Sequence, residues 1–214
     1  PLQFFGALIT ADMDNTDKVI RYINDCRDMG IKVMPPGVND SMKDFTIAQD
    51  HLIFGLGAIK NVGSSAIDSI IKIRKEKGRF SSLNEFCESV DLRLVNKRVV
   101  ESLIKSGALD SLSQNRAAMI EELPMAMEFG QAKQRDRQLG QSNMFEVFDE
   151  GSEEVKVNNS IKDWDDYQRL KYEKDTIGFY VSGHPLKHYS NELAWFTDAS
   201  SASILENSTG NEVS

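Results

Sequence analysis

A mainly α-helical chain with a small α+β segment at its N-terminal end is the fold class this sequence predicts, and three observations carry that expectation. The first is Gly55 to Ala66, GLGAIKNVGSSA, which reads as a helix-hairpin-helix turn: an apolar entry, a tight turn and a fresh helix. The second is a looser copy of the same pattern, with Ile104-Lys105 standing 45 positions after Ile59-Lys60. The third is a series of helical apolar stripes, each preceded by Asn, Asp or Ser and several of them closed by Gly.

Residues 1–54 read as a compact α+β unit. Leu2 to Thr10 is apolar enough for a buried helix. A second helix starts near Asp14 or Asn15, buries Val19, Ile20, Ile23 and Cys26, and stops at Gly30. Ile31 to Met34 is a short strand halted by Pro35-Pro36-Gly37, and Phe45-Thr46-Ile47 pairs with Leu52-Ile53-Phe54 around Gln49-Asp50. Asp12, Asp14 and Asp17 serve the helix dipole and solvent in this reading, and no metal site is expected.

In the hairpin block, Ala58, Ile59 and Val62 pack inward while Asn61 and Gly63 take the turn, since both residue types accept positive φ. Ser64 and Ser65 are expected to cap a helix with the stripe Ala66, Ile67, Ile70 and Ile71, with Asp68 completing a capping box and Gly78 ending it. Amides bared at such a helix start suit an anion such as phosphate. Lys60, Asn61, Val62, Gly63, Ser64 and Ser65 are therefore the first candidate DNA-binding set, and Lys72, Arg74, Lys75, Lys77 and Arg79 add positive charge. The bland alternative is an ordinary glycine-containing turn with a solvated basic face.

Ser82 and Glu85 have capping-box spacing, so a connecting helix runs from about Ser82 to Val90. Asn96 caps a helix bearing Val99, Val100, Leu103 and Ile104, closed by Gly107, and another helix starts near Asn115. Lys97, Arg98, Lys105, Ser106, Gly107 and Ala108 form the second candidate DNA-binding set. Two hairpins on one core can hold phosphates on both sides of a minor groove, a contact that reads shape and charge.

The long helix from Asn115 is expected to kink at Pro124 and stop at Gly140. Beyond an acidic run at 149–154, a helix starts at Ser160 or Asp163 and carries Trp164, Tyr167, Leu170 and Lys171. His184 and His188 stand four apart, but Pro185 keeps them off one regular helix face, so packing is expected. Thr197 to Ser214, with seven serines and threonines, reads as a frayed tail.

The chain of 214 residues has 25 Lys and Arg against 33 Asp and Glu, a net charge of -8. That charge is uneven: residues 1–54 carry -3, residues 55–116 carry +4 and residues 117–214 carry -9. Only the hairpin block suits a phosphate partner. Cys26 and Cys87 fall on apolar helix faces and read as core residues. With no signal peptide and no 18-residue apolar span, a cytoplasmic protein with no membrane partner is expected. The first residue is Pro1, inside an apolar run, which reads as an excised piece of something longer.

Together FFGALITADMDNTDKV, MGIKVMPPGVN, FGLGAIKNVG, LIKSGALDSL, QSNMF and GFYVSGHPL make the chain, from residue 1 to about 195, similar to the C family of bacterial replicative DNA polymerases, the DNA polymerase III alpha subunits. The resemblance implies the end of a fingers domain over 1–54, a tandem helix-hairpin-helix domain over 55–140, a clamp-binding peptide over 141–148, and a linker and helix over 149–195 leading to an absent OB domain. It implies as partners duplex DNA, the sliding clamp, and the rest of the alpha chain and holoenzyme. Where that family has glycine this chain has Asn61, which can adopt the same backbone conformation.

The segment Gln141-Ser142-Asn143-Met144-Phe145 resembles the family's internal clamp-binding pentapeptide, with Met144 where leucine is usual. In that resemblance Gln141 makes polar contacts and Met144 and Phe145 fill an apolar pocket. Its alternative is a strap folded onto the parent core through Met144, Phe145 and Phe148. The sequence holds no paired-aspartate palm motif, no nuclease histidine cluster and no GxxxxGK[ST] loop, so no catalytic residue and no cofactor is expected. The function read from the sequence is a non-catalytic, duplex-binding and clamp-tethering polymerase segment. Its rivals are a purely structural or protein-interaction helical module and a piece of a DNA-repair enzyme.

Overall fold

The structure, a computed structural model, describes residues 2–13, 15–138, 161–183 and 185–189. Helix α1 (Leu2–Ala11) buries Phe5 and Ile9, and α2 (Thr16–Asp28) buries Val19, Ile23 and Cys26, while Ile20 stays partly exposed. Asn15 caps α2 as its sequence position predicts, its side-chain oxygen accepting from the Lys18 amide at 3.2 Å. Asp12 accepts from Lys18 Nζ at 2.8 Å and from the Tyr22 hydroxyl at 3.0 Å, tying α1 to α2.

Three short strands follow: β1 (Lys32–Met34), β2 (Thr46–Ala48) and β3 (His51–Ile53). The β2–β3 hairpin forms where the sequence places it, with Gln49 at φ 51 in its turn, and Ile47 opposite Leu52. β3 also pairs in parallel with β1, so the fully buried Leu52 lies at the centre of the order β1-β3-β2. A run of Phe54 and Leu56, both buried, then feeds the chain into the first hairpin turn.

Helix α3 (Ser64–Lys77) presents Ala66, Ile67 and Ile70 to the core and stops at Gly78. Ser82 caps α4 (Leu83–Ser89) by accepting from the Glu85 amide; the Glu85 carboxylate answers to the amide of Ser81 rather than to Ser82, so the capping box is displaced by one residue. Asn96 caps α5 (Lys97–Lys105), whose Val99, Val100, Leu103 and Ile104 are all buried. Helix α6 (Arg116–Gln138) continues through Pro124. Asn115 serves its first turn by accepting from the Ala118 amide at 2.9 Å.

The apolar core is one cluster running from Phe5 through Phe54, Phe86, Leu103 and Leu109 to Ile177. Each such large side chain contributes about 1.5–3 kcal/mol on burial. The N-terminal α+β unit and the hairpin block therefore share a core instead of meeting as independent units.

Residues 161–183 pack against the rest of the fold. Helix α7 (Asp166–Ile177) starts at an Asp165 cap, later than Ser160 or Asp163, because the Asp165 carboxylate accepts from the Gln168 amide at 2.7 Å while Asp163 turns back to the Ala117 amide of α6. Phe179 meets Phe54 at 5.6 Å, and Arg27 lies over its ring. Arg116, 4 % exposed, donates to Asp110 at 2.7 and 2.8 Å and to the fully buried Glu173 at 3.0 Å. Glu173 in turn accepts the amides of Val181 and Ser182. Burial works against the Arg116 charge, but Asp110 and Glu173 outweigh it and hold its pKa above the ordinary value. A buried ion pair completed in this way locks 161–183 onto the hairpin block.

Candidate nucleic-acid interface

The first turn is built from an anchor and a rim. After a 3-10 turn over Leu56–Ala58, Ile59 and Val62 are both buried and plug the loop into the core. Between and after them Lys60, Asn61, Gly63, Ser64 and Ser65 are all exposed. The Lys60 amide donates to the carbonyl of Thr176 at 2.9 Å, so α7 supports the turn from beneath while the Lys60 side chain reaches solvent.

Asn61, not Gly63, takes the left-handed conformation, with φ 67. Its side-chain amide donates to the Ser102 hydroxyl of α5 at 3.3 Å, which joins the first turn to the second helix pair. Gly63 sits at φ -75, ψ 157 as the N-cap of α3, and a Cβ added there would meet nothing within 4 Å. The expectation that Gly63 needs positive φ, and that Ser64 and Ser65 cap the helix, is thus corrected: a glycine cap has no side chain, and both serines lie inside the first helical turn. The consequence favours an anion site. The amides of Ala66 and Ile67 turn back to the Gly63 carbonyl, leaving those of Gly63, Ser64 and Ser65 without an acceptor among the described residues, at the positive end of a 14-residue helix.

The second turn is a different object. The amides of Ser106, Gly107 and Ala108 donate to the carbonyls of Ser102, Ile104 and Leu103, a Schellman closure of α5 with Gly107 at φ 82. All three residues are buried, and the Ala108 carbonyl accepts from Val38. Lys105 lies 5.2 Å from the centre of the Tyr172 ring. Ser106, Gly107 and Ala108 therefore offer no free amide, contrary to the expectation of a second phosphate-facing turn. Lys97 and Arg98 remain exposed at the start of α5, Lys97 with Glu101 at 3.9 Å.

Two cations of the α3 end are also engaged. Arg74 donates to the Val38 carbonyl at 2.7 Å, and Arg79 makes a two-point contact with Asp40 at 2.7 and 3.3 Å. Sequence reasoning missed these partners because they lie over thirty residues away. It also missed Arg135 and Arg137, exposed at the end of α6, where only the folded chain shows them facing α3 across a cleft. Gln141, Ser142, Asn143, Met144 and Phe145 lie outside the described residues, as do His184 and the tail from 190 onward.

An apolar plug, a rim of free amides and a following helix, repeated in degenerate form on a second helix pair, define the helix-hairpin-helix class. A family model for the helix-hairpin-helix motif matches residues 30–119. Over 199 residues the chain is 39% identical to DNA polymerase III subunit alpha of Vibrio cholerae, covering 92% of this chain and 17% of that protein. It is 37% identical over 195 residues to the subunit of Escherichia coli K12, covering 90% and 17%, and 39% identical over 211 residues to that of Saccharopolyspora erythraea, covering 96% and 18%. The chain belongs to the DNA polymerase III alpha-subunit family, and it spans under a fifth of the length of these relatives.

Proposed function

We propose that this chain holds the backbone of duplex DNA, without sequence preference, as the helix-hairpin-helix stretch of a bacterial, cytoplasmic DNA polymerase III alpha subunit. The observation that carries the reading is the first turn: free amides of Gly63, Ser64 and Ser65 at a helix start, Lys60 beside them, and Ile59 and Val62 fixing the loop so that little order must be gained on binding. Backbone amides meet phosphate oxygens and touch no base edge, so such a contact positions DNA and does not select it. This stretch contributes grip, and polymerisation belongs to other parts of the subunit.

The second element of the proposal is the tether. Gln141 to Phe145 engages the sliding clamp, with Met144 and Phe145 as apolar anchors, and the ring and the hairpin then act on one duplex. Two modest contacts joined in one assembly give a high effective concentration, which is processivity.

The test is a titration of the chain against two unrelated duplexes over a salt series. Equal affinities that fall together with salt, with a slope of about -0.9 per phosphate contacted, are expected. Absence of salt-sensitive binding, or a preference between the duplexes, would overturn the reading.

A further inference from the structure

A cleft of about 860 Å³ opens directly beside the first turn, between α3, the 89–94 connection and the end of α6. Ser65 belongs both to the rim of the turn and to the wall of the cleft. Four cations, Lys72, Arg93, Arg135 and Arg137, line it against two aspartates, Asp68 and Asp91. Arg93 is neutralised by Asp91, through bonds of 3.0 and 2.7 Å, and Lys72 stands only loosely, at 4.0 Å, beside Glu76. Arg135 and Arg137 are exposed and have no ion-pair partner among the described residues.

Their wall is rigid. Gln134, one residue before Arg135, donates through Nε2 to the carbonyls of Cys87, Glu88 and Val90 at 3.1, 3.3 and 2.8 Å. Gly130, one turn earlier, lets α6 lie against α4 so closely that a Cβ there would be 2.6 Å from the Cys87 carbonyl oxygen. The opposite wall is held by the Asp91 amide on the Ser69 hydroxyl. The fixed helix carries both arginines beside the cleft, and the planar donors of their guanidinium groups match phosphate oxygens.

We infer that the duplex contact extends from the first turn into this cleft, where Lys72, Arg135 and Arg137 take backbone phosphates beyond the reach of the turn. The inference rests on the duplex-binding reading above and adds to it the second point of grip that the closed Ser106-Gly107-Ala108 turn cannot supply. Two points hold a duplex against rotation as well as translation.

The experiment uses the whole chain and a duplex of about 20 base pairs, roughly 68 Å at 3.4 Å per step. Arg135→Ala/Arg137→Ala and, on the other wall, Lys72→Ala are compared with wild type and with Arg135→Lys/Arg137→Lys; all these side chains are exposed, so unchanged thermal unfolding is the control. The alanine pair is expected to flatten the slope of log affinity against log salt by about one to two units, Lys72→Ala by up to about one, and the lysine pair to restore the wild-type slope. If wild type shows salt-sensitive duplex binding, a turn variant weakens it, and the alanine pair behaves as wild type, the cleft inference falls while the hairpin reading stands. If wild type does not bind, both fall.

Discussion

Replacing Gly63 by aspartate separates stability from DNA binding, because the structure assigns the two opposite signs. Gly63 is the N-cap of α3 with extended φ and ψ and no side-chain cap, and a Cβ fits without contact. An aspartate there can accept from the first-turn amides and meets the positive end of the helix, so Gly63→Asp should stabilise the fold by about 0.5–1.5 kcal/mol, or about 1–6 °C in Tm for a chain of this size. The same carboxylate occupies the amides offered to phosphate and places a negative charge beside it. Two unit charges about 4 Å apart repel by about 1 kcal/mol in bulk water and by about 4 kcal/mol at an effective dielectric of about 20. Duplex affinity should therefore fall by about fivefold to several hundredfold, equally for all sequences. Calorimetry and an anisotropy titration on one sample read both quantities. A variant that melts higher yet binds as wild type would refute the role of these amides, and one that melts lower would refute the cap geometry.

Gly107→Ala is expected to cost about 2–4 kcal/mol in denaturant unfolding, since φ 82 disfavours any side chain and the new Cβ would lie 2.4 Å from the pinned Arg116 Nη2. Glu173→Ala leaves Arg116 buried with half its partners and should cost about 3–5 kcal/mol by the same measurement, whereas a loss under about 1 kcal/mol would show that 161–183 is not locked by this pair. Asp163 is raised by burial but lowered more by the amides of Ala117 and Trp164 and by Arg169, so its pKa lies below the ordinary 3.8. A lowered folded pKa means stability present above pH 3.8 and lost as pH falls through the folded value, so Asp163→Asn should flatten the acid unfolding curve below pH 3.8. Burial pushes the thiols of Cys26 and Cys87 up to about 11 and about 12, and neither should be alkylated at neutral pH until the chain unfolds. Met144→Ala/Phe145→Ala should abolish clamp binding and spare duplex binding; loss of both, or of neither, would remove the tether from the proposal.

What the sequence determined by itself is everything governed by near neighbours. Asn15, Ser82 and Asn96 cap the helices they precede, Gly30, Gly78 and Gly107 end helices, and the stripes of α3 and α5 face the core, because caps and periodicity are fixed within about one helical turn. The first hairpin was legible for the same reason, its apolar and turn residues falling within twelve positions. Although LIKSGALDSL reads like GAIKNVGSSA along the chain, the two turns differ locally: the amides of Ser106, Gly107 and Ala108 close onto α5 carbonyls three to five residues back, while those of Gly63, Ser64 and Ser65 open a helix and find no acceptor among the described residues. Only the tertiary structure decided which cations are available, because that depends on what stands opposite them. Arg74 meets the Val38 carbonyl and Arg116 meets Glu173, but Arg135 and Arg137 meet only an open cleft. Such pairings join residues tens of positions apart, and they exist only once the shared core from Phe5 to Ile177 has brought distant segments within bonding distance.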